Sequence, residues 1–495
     1  DAVAMTGGQP FDGPLSVPQI AHQVLAEGVR KVVVVTDEPE KYPADAGFPS
    51  GVAIRHRDLL DDVQKELRAV EGVTVLIYDQ TCAAEKRRRR KRGSFPDPQK
   101  RVFINEAVCE GCGDCSVQSN CVSVEPVETE FGRKRRINQS ACNKDFSCLK
   151  GFCPSFVTVH GGKVRKAKGV DVTALAQDLP EPALPALDAP YNILITGIGG
   201  TGVVTIGALL GMAAHIEGKA VSVLDMAGLA QKGGAVYGHL RIGAEGTALH
   251  TSKITTGAAD LALACDPVVA ASPDAVEVLS PERSAGVING HQAPVAGFVR
   301  DPDFDFRAER IRRSLQQRLR KDATHFVDAT ELATSIIGDA IAANLLMLGY
   351  AWQKGLVPLG LAAVTRAIEL NGGPVAANLQ SFAAGRVAAH RPELLQDLLP
   401  KAEAAPLSQT VDEVIARRVD FLTAYQDAAY AARYAARIDA VRQAEQRVAP
   451  GSTALTEAAA RNLFKLMAYK DEYEVARLYA DDAFRKALEQ QFEGD

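Results

Sequence analysis

The chain has 495 residues, 46% hydrophobic and 24% charged, which is ordinary for folded domains and enough for about three of them. A formal net charge of −5 gives no electrostatic reason to expect a nucleic-acid partner. No apolar run approaches the roughly 18 residues that span a bilayer, and no charged-then-apolar leader opens the sequence, so no membrane association and a cytoplasmic location are expected.

Residues 1–94 read as α/β. Helical spacing at Val17–Gly28 leads into the buried-strand run Lys31–Thr36, and Leu59–Val70 leads into Val73–Tyr78. This alternation predicts a parallel sheet. Few elements precede it, so the segment reads as the end of a larger domain. Lys86–Arg92 is an unbroken basic run, expected to be a solvated loop; the alternative is a docking surface for an acidic redox partner or another subunit.

Seven of the nine cysteines fall between Cys109 and Cys153, inside a module spanning 95–165. A chain this long needs no disulfide staples, so metal ligation is the better reading. Cys82 and Cys265 stand alone and are expected to be small apolar fillers. Cys109, Cys112 and Cys115 form a C-x2-C-x2-C triple, whose glycines let one tight loop offer three thiolates to an iron–sulfur cube. Cys153-Pro154 fits the distant fourth ligand. A structural zinc site is the alternative.

The module also repeats. Ile104-Asn105 precedes Cys109 as Ile137-Asn138 precedes Cys142, which sets Asp145 opposite Cys112 and Cys148 opposite Cys115. Cys121 takes the place of the first repeat's outgoing cysteine. The pattern predicts two clusters with crossed ligation, one on Cys109, Cys112, Cys115 and Cys153 and one on Cys121, Cys142, Cys148 and Asp145. An oxygen ligand at Asp145 would let that site interchange between 4Fe-4S and 3Fe-4S. The competing reading is a degenerate repeat whose cysteines only pack.

Residues 166–190 read as an extended linker and 191–395 as a second α/β domain. There the strand Asn192–Thr196 runs into Gly197, Gly199, Gly200 and Gly202, which open the helix Val203–Ala214; Asp225 follows the strand Ala220–Leu224. The glycines satisfy a dinucleotide fingerprint, or serve only close helix–strand packing. Lys232, His239 and Arg241 lie in or just beyond a second glycine-rich stretch, which lines a cleft or forms a surface loop. Ala340–Trp352 is expected to be a buried helix. Residues 396–495 read as helical and incomplete, with a capping box at Thr410 and Glu413, an apolar stripe of Val411, Ile415, Val419, Leu422 and Tyr425, a break at Pro450-Gly451, and a further helix over Thr456–Phe492.

Together these motifs resemble the 2-oxoacid:ferredoxin oxidoreductases, most closely the fused indolepyruvate type. Thr6, Gly7, Gly8 and Gln9 resemble the end of a thiamine-diphosphate loop, Cys109–Pro154 its ferredoxin block, and Gly197–Gly202 with Asn344–Gly349 and Asn378–Gly385 its gamma domain. The resemblance implies an α/β multidomain chain: the end of a thiamine-binding domain, a ferredoxin-like module, a Rossmann-like gamma domain and a helical C-terminal segment. It implies thiamine diphosphate, Mg2+ and 4Fe-4S clusters as cofactors, with Gly197, Gly199, Gly200 and Gly202 as candidate cofactor contacts. It further implies an aryl 2-oxoacid and CoA as substrates, ferredoxin as acceptor, and assembly as a homo-oligomer with the missing thiamine and pyrimidine domains. In that family the gamma glycine loop takes no nicotinamide. Two alternatives remain, an NAD(P)-linked iron–sulfur reductase and a non-catalytic electron-transfer subunit.

Overall fold

Four consecutive valines, Val32–Val35, can be buried together only in a strand covered on both faces. In the computed structural model, which describes residues 15–165, 172–227, 234–293, 296–396 and 407–494, they form the centre of a parallel sheet. The chain divides into two units, 1–97 and 98–495. In the first, β1 (Lys31–Thr36) lies between β2 (Ala53–His56) and β3 (Thr74–Asp79). The helix Leu60–Arg68 presses Val63 and Leu67 onto Val33 and Val35. The helix Val17–Ala26 starts at a capping box of Ser16 and Gln19.

The basic run is not a loop. It continues the helix Ala83–Lys91, because Lys and Arg are good helix formers and cations are favoured at a helix C-terminus. Buried Glu85 accepts Arg89 at 3.2 Å, Lys86 pairs with Asp37 at 2.6 Å, and Arg90 lies over the Phe95 ring. Several of its charges are therefore spent inside the unit.

The second unit opens with β4 (Lys100–Ile104), β5 (Val124–Thr129), β6 (Gly132–Ile137) and β7 (Phe156–His160), paired antiparallel as β4 with β7 and β5 with β6. After β8 (Lys163–Val164) comes a six-stranded sheet of β9 (Tyr191–Ile198), β10 (Ala220–Ala227), β11 (Ala235–Gly243), β12 (Leu261–Ala264), β13 (Ala285–Asn289) and β14 (Thr324–Val327). Its order is β10-β11-β9-β12-β13-β14, with β9, β12, β13 and β14 parallel and β11 antiparallel to both neighbours. Ile193 and Ile195 face one core with the helix Val203–Ile216, while Leu194 faces the other with Leu279 and Leu315. Both faces are covered.

Two glycines decide how that core closes. The helices Ala343–Gln353 and Val375–His390 cross in backbone contact. A Cβ at Gly349 would collide with the Phe382 carbonyl, and one at Gly385 with the Leu346 carbonyl. The Asn344–Gly349 and Asn378–Gly385 blocks are thus the two sides of one crossing.

The C-terminal segment begins at the expected Thr410/Glu413 capping box. The helix Val411–Tyr425 buries Val414, Arg418 and Leu422, and Ile415 and Val419 of the expected stripe pack half-buried on the same core. The helical stretch expected over 456–492 is built of three helices, 454–467, 472–480 and 482–491, since Asp471 and Asp481 each cap a new start. A short β15 (Phe492–Glu493) then pairs with β8.

This segment closes around the cysteine module. Phe131, at the tip of the β5–β6 hairpin, sits between Phe421 and Phe464 with ring centroids 5.1 and 5.2 Å away. Beside it Glu130 accepts Arg418 at 2.7 Å, Arg417 at 3.2 Å and the Ser408 amide at 2.9 Å.

Candidate metal centre

The two Ile-Asn-x3-Cys stretches share two main-chain hydrogen bonds. Asn105 and Asn138 each donate their amide, at 2.8 Å, to a serine two residues past a cysteine: Ser155 after Cys153 and Ser123 after Cys121. The amides of Cys109 and Cys142 each return to their asparagine carbonyl at 3.0 Å. The asparagine side chains accept Ala107 and Ala141 amides at 3.0 and 3.1 Å. Cys121 therefore holds the place in one half that Cys153 holds in the other.

The ligand loops share their backbone too. Gly111 and Gly113 have φ of 69° and 85°, and Lys144 and Phe146, their counterparts, have φ of 54° and 61°. At Gly111 no side chain fits, because a Cβ would strike the Arg133 carbonyl. The second loop adopts the same turn without glycine, at about 1–2 kcal/mol per residue. Lys100 lies 4.8 Å over the Phe146 ring and braces it.

Three thiols receive a backbone amide from two residues on: Gly111 to Cys109 at 3.3 Å, Ser123 to Cys121 at 3.4 Å and Lys144 to Cys142 at 3.4 Å. Cys153 shares a proton with Ser155 at 3.1 Å. The thiols fall into two sets by electrostatic neighbourhood. Cys115 faces Cys109, Cys153 and Cys112, whereas Cys148 faces Cys142 and Cys121 and, across the boundary, Cys115. Burial pushes Cys115 up to about 11 and Cys148 up to about 12, and raises Cys109 and Cys142 against the pull of their amide donors. Nucleophilic use of such thiols is disfavoured; binding a metal would release their protons. Cys112 and Asp145 are both exposed, matching their equivalent positions, and Ser147 donates to the Asp145 carboxylate.

Cations surround the first set. Arg135, 1% exposed, lies in the field of Cys115, Cys109 and Cys112, stacks 4.2 Å over Phe298 and donates to the Pro302 carbonyl at 3.2 Å. Its Nε, and the buried hydroxyls of Ser116 and Ser123, have no hydrogen-bond partner among the described residues. Burial lowers the neighbouring Lys134 to about 8. Lys470, from the far end of the chain, donates to the Val108 and Cys109 carbonyls at 3.3 and 3.4 Å, and Tyr479 donates to the Pro154 carbonyl at 2.5 Å.

Among the described residues no three Cys, His, Asp or Glu side chains stand close enough to share one metal ion. Two sets of soft donors, with amides aimed at sulfur and buried polar groups beside them, are a donor set that would suit a larger group such as an iron–sulfur cluster.

Gly197 packs where a Cβ would meet Val203 and Cys265, and Gly200 and Gly202 take φ of 86° and 92° to turn into the helix 203–216. Gly199 donates to the Gly234 carbonyl at 2.8 Å, and Asn344 ties down the loop through the Thr201 carbonyl at 3.0 Å. Ser140, two residues before Cys142, accepts the Ala340 amide at 2.8 Å and bonds Asp339 at 3.0 Å, joining the second thiol loop to the turn that leads into Asn344. Asp225 does not serve this loop. β11 separates β10 from β9, and Asp225 is in register with Gly238 and, through it, with Ile195, short of the glycines. His239 and Arg241 line no cleft. His239 is buried and accepts the Ile254 amide, and Arg241 ties Asn192 to Thr251. Cys265 is buried as expected, whereas Cys82 is half-buried at the start of the helix 83–91. Thr6, Gly7, Gly8, Gln9 and Lys232 lie outside the described residues. Arg135, Lys470, Tyr479 and the Ser140–Asp339 link escaped the sequence reading; no local motif marks them.

Residues 192–388 match the pyruvate ferredoxin/flavodoxin oxidoreductase family, and residues 411–495 match a family of unknown function (DUF6537). An indolepyruvate oxidoreductase subunit IorB of Methanothermobacter thermautotrophicus is 31% identical over 169 residues, 34% of this chain and 81% of that protein. The subunit of the same name from Pyrococcus horikoshii is 29% identical over 207 residues, 40% of this chain and 96% of that protein. Among solved structures, a pyruvate oxidoreductase subunit of Thermotoga maritima shows 25% identity and a TM-score of 0.30, covering 40% of this chain and 95% of that one.

Proposed function

Because the chain belongs to the 2-oxoacid:ferredoxin oxidoreductase family, we propose that it supplies the electron path for oxidative decarboxylation of an aryl 2-oxoacid, such as indolepyruvate, to its acyl-CoA. One observation carries the redox part: seven cysteines fold as two equivalent halves whose outgoing cysteines are exchanged. When bound, thiamine diphosphate with Mg2+ would supply the carbanion chemistry and two iron–sulfur clusters would supply one-electron carriers.

The chain's own residues then have definite tasks. Cys109, Cys112, Cys115 and Cys153 hold one group, and Cys121, Cys142 and Cys148, with Asp145, hold the other. The amides of Gly111, Ser123 and Lys144 stabilise negative charge on sulfur. Arg135 balances charge in a buried place where an unpaired anion would be costly. Cys148 feels the charge of Cys115 across the boundary, which supports two sites close enough for electrons to pass between them. The helix crossing at Gly349 and Gly385 fixes the turn that Ser140 grips, so the sheet domain holds the second loop in place. Thr6–Gln9 would approach thiamine diphosphate in the assembled enzyme, and ferredoxin would take the electrons.

The test is anaerobic reduction of ferredoxin by the assembled oxidoreductase with indolepyruvate, CoA and thiamine diphosphate. Reduction that depends on the 2-oxoacid and is lost in Cys109→Ala supports the reading. Equal bleaching of the chromophore by NADH without thiamine would favour a nicotinamide-linked reductase, for which the position of Asp225 is unsuited.

A further inference from the structure

The segment matching a family of unknown function meets the cysteine module where the first ligand loop is. Lys470 lies between two of its helices, with only 14% of its side chain exposed. Its ammonium is held by the carbonyls of Val108 and Cys109 and by Glu110 at 2.5 Å. Withdrawing an ammonium from water is expensive, and these three oxygens offset that cost while fixing the charge against the loop. Its carboxylate partner is 63% exposed and hence well solvated, so the pair leaves net positive charge on the inner side, toward the loop. On the opposite wall, Tyr479 holds the Pro154 carbonyl and the Asn105 side chain donates to the Leu478 carbonyl at 3.4 Å. The segment thereby grips both stretches that carry the first thiol set.

We propose that residues 411–495 form a collar that sets the reduction potential of the group on Cys109, Cys112, Cys115 and Cys153, with Lys470 as the positioning residue that raises it. This rests on the reading that those cysteines hold an iron–sulfur cluster. Reduction adds one negative charge to the site, so a fixed cation beside the loop stabilises the reduced state and a nearby anion destabilises it. Lys470 and Glu110 touch the first ligand loop itself, so they act with opposite signs on its cluster and far less on the other.

The experiment is a redox titration of the full chain followed by paramagnetic resonance, with iron analysis of each preparation. In Lys470→Met the ratio of reduced to oxidised first cluster at fixed potential should fall about tenfold, a shift of about 59 mV to more negative values for a one-electron couple. Lys470→Arg should stay near wild type. Glu110→Gln should shift the same signal in the positive direction, and the second signal should move far less throughout. A purely structural role would move both variants the same way, or cost iron without moving a potential. If Lys470→Met loses iron, Glu110→Gln decides alone. Full iron with unmoved potentials in Lys470→Met, or an unmoved potential in Glu110→Gln, overturns the collar's tuning role. Wild-type protein reconstituted anaerobically yet devoid of iron would instead overturn the cluster reading beneath it.

Discussion

Replacing Phe131 with alanine tests the docking of the C-terminal helices on the cysteine module. The ring is half-buried, meets Phe421 and Phe464, and shares Arg418, whose guanidinium lies 5.6 Å from Phe131 and 5.4 Å from Phe464. A fully buried Phe→Ala change costs roughly 3–5 kcal/mol. Partial exposure here reduces that to about 2 kcal/mol, and the two lost ring pairs restore about 1 kcal/mol. A loss of about 3 kcal/mol should speed amide exchange in the 411–467 helices about a hundredfold, since 1.4 kcal/mol is tenfold. The sheet β9–β14, which makes no use of Phe131, should keep its protection. Hydrogen exchange read by mass spectrometry resolves the two regions. Phe152→Ala, at a fully exposed ring, is the neutral control. Unchanged protection in 411–467, or equal loosening of sheet and helices, would refute the plug.

Gly385→Ala should be among the most damaging single-methyl additions in the chain, because the new Cβ meets the Leu346 carbonyl and the helices must part. Its urea midpoint should fall well below that of Gly373→Ala, an exposed position with open space where only the positive φ of 70° costs. Glu445 makes a pH prediction. The Thr456 and Ser452 hydroxyls, with the Leu455 and Thr456 amides, hold its carboxyl down at about 2. A depressed folded value means stability that is complete above the ordinary carboxylate range and lost as pH falls from about 4.5 toward 2. Circular dichroism should show wild type losing its margin over Glu445→Gln across that window; a constant margin would exclude the carboxylate as the source.

Local patterns exposed what depends on neighbours in the chain. The valines of β1, the alternation in β9, the Thr410 capping box and the cysteine spacing each state their structure within a few residues. The equivalence of Cys121 and Cys153 was also legible, since a repeat fixes equivalence without distance information. Contacts between remote segments left no such mark. Lys470 reaches Cys109 across most of the chain, and nothing near Arg418 in sequence points to its partner, Glu130, at a hairpin tip far upstream. The basic run misled for a different reason: its charge suggested solvent, while the helix propensity of Lys and Arg decided its conformation. At the glycine loop the sequence permitted a nucleotide or tight packing, and the strand order takes away the fingerprint's acidic partner by setting β11 between Asp225 and β9.

The account stands or falls on metal content read together with the ligand variants. Anaerobically prepared protein should hold about seven to eight irons, the lower number after oxidation removes the iron opposite Asp145. Asp145→Cys should fix the count at about eight and abolish the oxidised 3Fe-4S resonance. Cys148→Ala should remove the second signal and spare the first. About four irons in wild type, unchanged in Cys148→Ala, would mean that the second half kept the fold of the repeat and holds no cluster.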